Sequence, residues 1–436
     1  MAHKKVIRPK KPHVERSATN KPHGERSARI SWLVAVLLAL GSFVLFAWNI
    51  ARPATPYFDE THYLPAARAL LERSAAVNIE HPLFAKTMIA GGMLLFGDDS
   101  LGWRLPSALF AAIAVAALFW VALLLLRDLK VATLAALLLV FNQTHFVQAR
   151  IAMLEMPMTA MILLGAGCLL QARKAGQGAR RWEYLGAIAL GLAIGSKWLA
   201  APYAALFLGA AGWAKSRARK HDVAFVARHV IPDLGKLGLA MLAAYFVTFW
   251  PAFLYTRSPL TLDQLIGFQS EMLRSQSQNL APHPYQSSSW TWPLMLRPIW
   301  YLFAKTSTSY QAVLLIGNPV VYWGGLAVLL ACASGWMKQR TPQLNAMAGL
   351  WAFSIGIWAL IPKQISFFYY YNLSAVVLCL VIAAFFAPWG ARGVRILGGV
   401  TALAAAMFAY FYPVISAQPL PADDTWTRWV WMKSWY

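Results

Sequence analysis

Two adjacent carboxylates and a histidine, Asp59, Glu60 and His62 in "PYFDETHY", directly follow the first long apolar stretch of the chain. Acids are scarce here, 17 against 39 lysines and arginines, so a pair of them at the mouth of an apolar run needs a reason. A carboxylate within reach of a hydroxyl can take its proton as a general base. The competing role is local, because an acid at the start of a helix caps it and meets the positive end of its dipole. A helix does follow: Tyr63, Ala66, Ala67, Leu70 and Leu71 recur on one face. That stripe is too interrupted to span a membrane and suits a helix lying in the interface. Asp59 and His62 stand one turn apart at its start.

Two more clusters have the same character. "NIEHPLFAKTMIAGGMLLFG" (78–97) has an apolar core too short to cross a bilayer, with Glu80, His81 and Lys86 at its beginning. Lys86 is placed either to meet an anionic head group or to snorkel. "HFVQARIAMLEMPMTAMILL" (145–164) carries Arg150 and Glu155 where a loop enters a span. Ionisable groups at that depth mark function unless they pair with each other, which is the rival reading for these two. Arg104 and Lys197 (in "GLAIGSKWLAAPY", 191–203) are further cations near span ends. Carboxylates ringed by cations suit a reaction that deprotonates a hydroxyl while a phosphate leaves. Glycosyl transfer from a lipid-linked phosphate donor needs both. No G-x-x-x-x-G-K-[ST] or H-E-x-x-H motif supports ATP-driven or zinc-peptidase chemistry. Asp59, Glu60 and His81 could ligate a divalent metal, although no CxxC or paired-histidine spacing compels one.

The elements that must position these residues are membrane helices. The chain of 436 residues is 59% hydrophobic and 13% charged, which excludes an ordinary soluble domain. Apolar runs long enough for a hydrocarbon core of roughly 30 Å recur along it, and continuous runs mean helices rather than a barrel. Eleven spans are expected, at 30–50, 102–126, 131–145, 151–171, 183–196, 199–214, 237–255, 312–335, 346–361, 367–387 and 396–414. The fold class is an all-α polytopic membrane protein. Cys168, Cys332 and Cys379 all fall inside apolar runs, as packing residues rather than a disulfide framework.

The net charge of +22 reads as loop charge, not as a nucleic-acid footprint. Basic loops such as "RKAGQGARR" (173–181) and "KSRARK" (215–220) belong on the cytoplasmic side, together with the N-terminus. Residues 1–29, with the imperfect repeat "KPHVERSA" and "KPHGERSA", read as a disordered basic tail. The acids sort to the opposite side, into two long outer segments, 51–101 and 256–311. Segments that long are functional or disordered, and the aromatic and helical patterning of these two argues for order. Residues 415–436, ending "WTRWVWMKSWY", read as an outer interfacial segment with Trp and Tyr at head-group level.

"FDETHY", "EHPLFAK", "ARIAMLEMP", "GLAIGSKW", "HPYQSSSWTWPLMLRPIWY" and "LIGNPVVYWGG" resemble, in that order, the protein O-mannosyltransferase family of integral-membrane GT-C glycosyltransferases. The resemblance runs from about residue 50 to 375. It implies a polyprenyl-phosphate-linked sugar donor, usually mannose, and transfer with inversion to a hydroxyl outside the cytoplasm. Asp59 matches the catalytic base and Glu60 its companion. Arg104 and Arg150 resemble cations near the donor phosphate, with Lys86 and Lys197 as further candidates. His62, His81, Glu155, His283 and Arg297 are the acceptor or pocket candidates. The second outer segment lacks the large soluble module of eukaryotic members, which implies a compact bacterial type in the inner membrane. Tyr370 and Ser374 stand in "YYNLS" where relatives have "HYLP", and Lys363 where many have arginine.

The expected partners are therefore a polyprenyl-phosphate-linked sugar, a hydroxyl-bearing acceptor in protein or lipid, and membrane lipids, with no nucleic acid. A transferase of the same fold acting on lipid or polysaccharide, like the aminoarabinose transferases of lipid A, is the nearest alternative. A lipid-linked sugar carrier is the alternative from another class, although no internal repeat of spans supports it.

Overall fold

The computed structural model describes residues 21–278, 281–306, 308–334, 341–361, 363, 365–421 and 424–436. Helices occupy every expected span position. They are α1 (Lys21–Ala47), α4 (Ser100–Leu126), α5 (Leu129–Val140), α6 (Gln143–Ala149), α7 (Glu155–Ala172), α8 (Ala179–Ser196) and α9 (Ala200–Ala218). Beyond the short turn α10 (Val223–Phe225) come α11 (Ile231–Val247), α13 (Pro319–Ala333), α14 (Pro342–Gly356), α15 (Asn372–Phe386) and α16 (Gly390–Ile415). Three shorter helices lie outside these spans: α2 (Glu60–Glu72), α3 (Phe84–Phe96) and α12 (Leu265–Gln276).

The expected count of eleven spans is not established. Among the described residues five stretches are long and apolar enough to cross, or six if α5 and α6, bent by 63°, form one span. The remaining helices are shorter or carry more charge. One of the five stretches, Phe368–Ile415, has 48 residues, too long for a single crossing. Gly390, at φ 56°, breaks it into α15 and α16.

Two boundary differences change what the segments are. α1 begins at Lys21, so residues 21–29 are helical; extending a formed helix by one residue at a time costs little. The rest of the expected tail, with "KPHVERSA" and His13, lies outside the described residues. The span expected at 312–335 starts only at Pro319, with the Asn318 side chain accepting from Val320 N at 3.0 Å as its cap. Residues 312–315 belong to a sheet that an all-α reading misses.

That sheet joins β1 (Ile299–Lys305), β2 (Ser309–Leu315) and β3 (Pro419–Pro421), antiparallel in that order. Its first two strands are rich in aromatic and β-branched residues, which fit a pleated, half-buried surface. The C-terminal segment packs back on it rather than lying free at head-group level. Trp435 is buried, donates from Nε1 to Met295 O (2.7 Å) and accepts from Trp300 Nε1 (2.8 Å).

α2 and α3 form a hairpin against α4. Arg68 holds Asp98 with two bonds (2.7 and 3.0 Å), and Asp98 accepts from Trp103 Nε1 at 2.6 Å. Asp99 caps α4 through Leu101 N and Gly102 N. Gly92 and Gly102 let α3 and α4 touch backbone to backbone, since a Cβ on either would overlap a carbonyl oxygen of the 92–102 hairpin.

Candidate active site

α2 starts where the chain leaves α1, and its two acids diverge. Asp59 occupies the N-cap position but makes no side-chain cap bond, so the capping reading fails for it. No hydrogen bond to its carboxylate is formed among the described residues. Its charged neighbours are Glu155, Lys197, His62 and Lys363. Burial, then the nearby Glu155 charge, push its carboxyl from the usual 3.8 up to about 6.

Glu60 is fully buried and saturated. Oε1 accepts from Arg104 Nε (2.7 Å) and Ala152 N (2.9 Å); Oε2 accepts from Arg104 Nη2 (2.8 Å) and Tyr57 N (3.2 Å). The expected catalytic companion is thus a fixture that ties the loop to α4 and to the approach to α7. Arg104 is equally engaged. Its Nη1 donates to Ile50 O and Pro53 O, its Nη2 also to Thr55 O, and it is fully buried. All five donors are in use, and none remains for a phosphate.

Arg150 is also engaged elsewhere. It donates to Phe46 O (2.8 Å), Trp48 O (2.5 Å) and Asn49 O (3.0 Å), closing the C-terminal end of α1. The Arg150–Glu155 pair does not form. Lys86, fully buried, neither snorkels nor reaches a head group: it donates to Asn78 O and to His81 O (2.8 Å), folding the 78–83 turn around itself. Burial lowers its ammonium to about 7.

Glu155 pairs instead with Lys197, Oε1 to Nζ 2.5 Å, while Glu155 Oε2 is buried without a partner. Lys197 stands at the α8–α9 junction with its ammonium 5.2 Å from the Tyr369 ring centroid and 4.9 Å from that of Tyr370. Lys363 donates to the Tyr370 hydroxyl at 2.5 Å. A cavity of about 230 Å³ opens beside them, lined by His81, Lys197, Lys363 and Tyr370 and walled by Trp198 and Trp358. α12 supplies its outer wall through Leu273 and Gln276; Gln276 donates to Glu80 O (2.5 Å). Asp59 is not itself a lining residue, although its carboxylate feels the charges of both lysines.

His81 is held neutral, chiefly by burial and then by Lys197 and Lys86, and its Nδ1 has no partner. His62 is exposed and does not line the cavity. His283 and Arg297 stay outside the cavity: His283 Nδ1 accepts from Tyr285 N, and Arg297 clasps Pro284 O. Their segment docks through Ser287 N to Ser366 O (2.9 Å) and Ser366 Oγ to Ser287 O (2.8 Å), beside Lys363. The structure adds Tyr301, Tyr369, Trp358 and Gln276 to the site. Scattered aromatics carry no spacing signal that would have revealed them.

Asp59, Glu60 and His81 do not form a metal set, since Glu60 has no free oxygen. No cluster of three or more His, Cys, Asp or Glu suited to a metal occurs among the described residues. What the geometry offers is one free carboxylate near two lysines and an aromatic cavity at the ends of the helices.

Residues 97–257 match the dolichyl-phosphate-mannose-protein mannosyltransferase family, and residues 261–435 match the C-terminal four-transmembrane region of protein-O-mannosyltransferase. A polyprenol-phosphate-mannose–protein mannosyltransferase of Mycobacterium tuberculosis is 27% identical, over 93% of this chain and 92% of that one. One from Mycolicibacterium smegmatis is 26% identical, over 92% of each. The structure of the S. cerevisiae protein O-mannosyltransferase Pmt1-Pmt2 complex bound to the sugar donor superposes with a TM-score of 0.77 at 12% identity, covering 93% of both chains. ArnT from Cupriavidus metallidurans bound to undecaprenyl phosphate gives 0.56 at 18% identity, over 87% of this chain and 65% of that one. These likenesses give the GT-C membrane fold. With both halves of the sequence matched, the chain belongs to the dolichyl-phosphate-mannose-protein mannosyltransferase family.

Proposed function

We infer that this chain is a membrane-embedded mannosyltransferase that moves mannose from a polyprenyl-phosphate donor to a protein hydroxyl. The family, and relatives named for that reaction that align along nearly their whole length, support it. The observation that carries the chemistry is the free carboxylate of Asp59, beside an adjacent acid that is entirely engaged.

In the step we derive, the hydroxyl oxygen of an acceptor Ser or Thr forms a bond to the anomeric carbon as its proton passes to Asp59. The bond from that carbon to the phosphate oxygen breaks, and polyprenyl phosphate departs with the electron pair. A single displacement inverts the anomeric centre. Lys197 and Lys363, rather than Arg104 and Arg150, are the cations free to face the phosphate; Lys86 is buried in its own turn. The Trp198 and Trp358 walls suit the first isoprene units of the donor. The basic loops at the far ends of α4, α7 and α9 favour a site on the non-cytoplasmic face with the N-terminus inside, and the bacterial sources of the relatives favour the inner membrane of a bacterium.

The test uses membranes carrying wild type or Asp59→Asn, labelled polyprenyl-phosphate-mannose and a Ser/Thr acceptor peptide. Label enters the peptide with wild type and falls by about 10²–10⁴-fold in the variant, while the variant still inserts and melts no lower than wild type. Label entering only lipid would replace the protein acceptor with a lipid one. Transfer undiminished in Asp59→Asn would remove Asp59 from the mechanism.

A further inference from the structure

Three buried polar atoms without a partner gather around this site from three separate segments: the Tyr301 hydroxyl, Glu155 Oε2 and His81 Nδ1. Buried polar groups are nearly always hydrogen-bonded, so unpartnered ones at a single place call for an explanation. Tyr301 is the most informative. It stands on β1, is 4% exposed, and stacks on Phe58 with ring centroids 3.9 Å apart and planes 19° from parallel. Phe58, at φ 50°, immediately precedes Asp59, so the stack fixes the tyrosine to the loop that carries the base.

Glu155 and Asp59 are the charged groups whose fields act most strongly on its hydroxyl. Three neighbouring phenols are occupied: Tyr57 donates to Arg150 O (3.2 Å), Tyr369 donates to Tyr370, and Tyr370 accepts from Lys363. Tyr301 is held as firmly as these and its hydroxyl is left open.

A phenol that can donate, close to a carboxylate oxygen that can only accept, matches two neighbouring hydroxyls of a pyranose ring. A Ser or Thr acceptor has one side-chain hydroxyl, and that one must lie at Asp59 to lose its proton. It cannot also satisfy Tyr301 and Glu155. Resting on the mannosyl-transfer reading above, we propose that Tyr301 and Glu155 Oε2 form the subsite for the transferred hexose. Tyr301 donates to one sugar hydroxyl and Glu155 Oε2 accepts from its neighbour, which sets the anomeric carbon against Asp59.

Tyr301→Phe tests this because it keeps the ring and its stack on Phe58 and removes only an atom that bonds to nothing in the free protein. With polyprenyl-phosphate-mannose the expected result is a fall in kcat/KM for the donor of about 5- to 30-fold. The KM for the acceptor peptide stays the same and the melting temperature does not drop. Among monodeoxy-mannose donors, one loses a similar factor with wild type and nothing more with the variant. Wild-type kinetics in Tyr301→Phe, or a rise confined to the acceptor KM, would overturn the proposal. If the variant does not accumulate, the deoxy series on wild type decides alone: every monodeoxy donor reacting as fast as mannose refutes the subsite. No transfer from any donor by wild type would sink the mannosyl-transfer reading and the subsite with it.

Discussion

Consecutive residues on a helix point about 100° apart, so Asp59 and Glu60 cannot face the same surroundings. Glu60 turns inward to Arg104 and Ala152, and Asp59 is left facing the lysines. The division has a pH signature. A base works only when deprotonated, and burial beside Glu155 raises the Asp59 carboxyl to about 6. Transfer should therefore hold above pH 7 and fall through pH 6 towards pH 5, approaching tenfold per unit. A kcat/KM profile with a non-titrating acceptor peptide measures it, and a profile flat to pH 4.5 would contradict the assignment. The sign for stability is the reverse of that for activity. Because the folded state holds the Asp59 proton more tightly than the unfolded chain, stability falls as pH rises from 3.8 to about 6 and the full cost persists above that, which Asp59→Asn relieves.

The α2–α3 hairpin is held to the bundle by one buried ion pair. Arg104 and Glu60 are both fully buried, and each is surrounded by further hydrogen bonds. Breaking such a pair from one side leaves a charge without compensation and costs about 3–5 kcal/mol. Glu60→Gln or Arg104→Met alone should therefore lower the melting temperature in detergent sharply. The double variant should recover part of that loss, which a double-mutant cycle on thermal unfolding reads directly. Losses that simply add would refute the coupling. At this scale the sequence was legible in part. The stripe of Tyr63, Ala66 and Ala67 is buried as expected, whereas Leu71 is exposed. The partners of the cations were not legible, because a span-end arginine looks the same in sequence whether it meets a phosphate or a carbonyl. Arg104 and Arg150 were settled by chain reversals at 46–55 that no local pattern encodes.

For the whole molecule, apolar run length located the helices well, and it did so because a bilayer sets that length from outside the chain. It failed at 299–315, where apolar strands and an apolar span follow each other without a change in composition. Orientation has its own check. The native cysteines Cys168, Cys332 and Cys379 are all buried. An impermeant maleimide should therefore leave intact cells expressing wild type unlabelled on this protein. A cysteine introduced at the exposed Ser258, on the site side, should react from outside; one at Gln177, between α7 and α8, should react only after the membrane is opened. The opposite pattern would invert the topology.

The Glu60–Arg104 fixture also separates two parts of the enzyme. Residues that hold the base are locked into the bundle by buried contacts. The segment bearing α12, by contrast, shows most of its surface outward and only borders the cavity. Substitutions on its exposed face touch neither Asp59 nor the pair that holds its loop, so proton transfer should tolerate them.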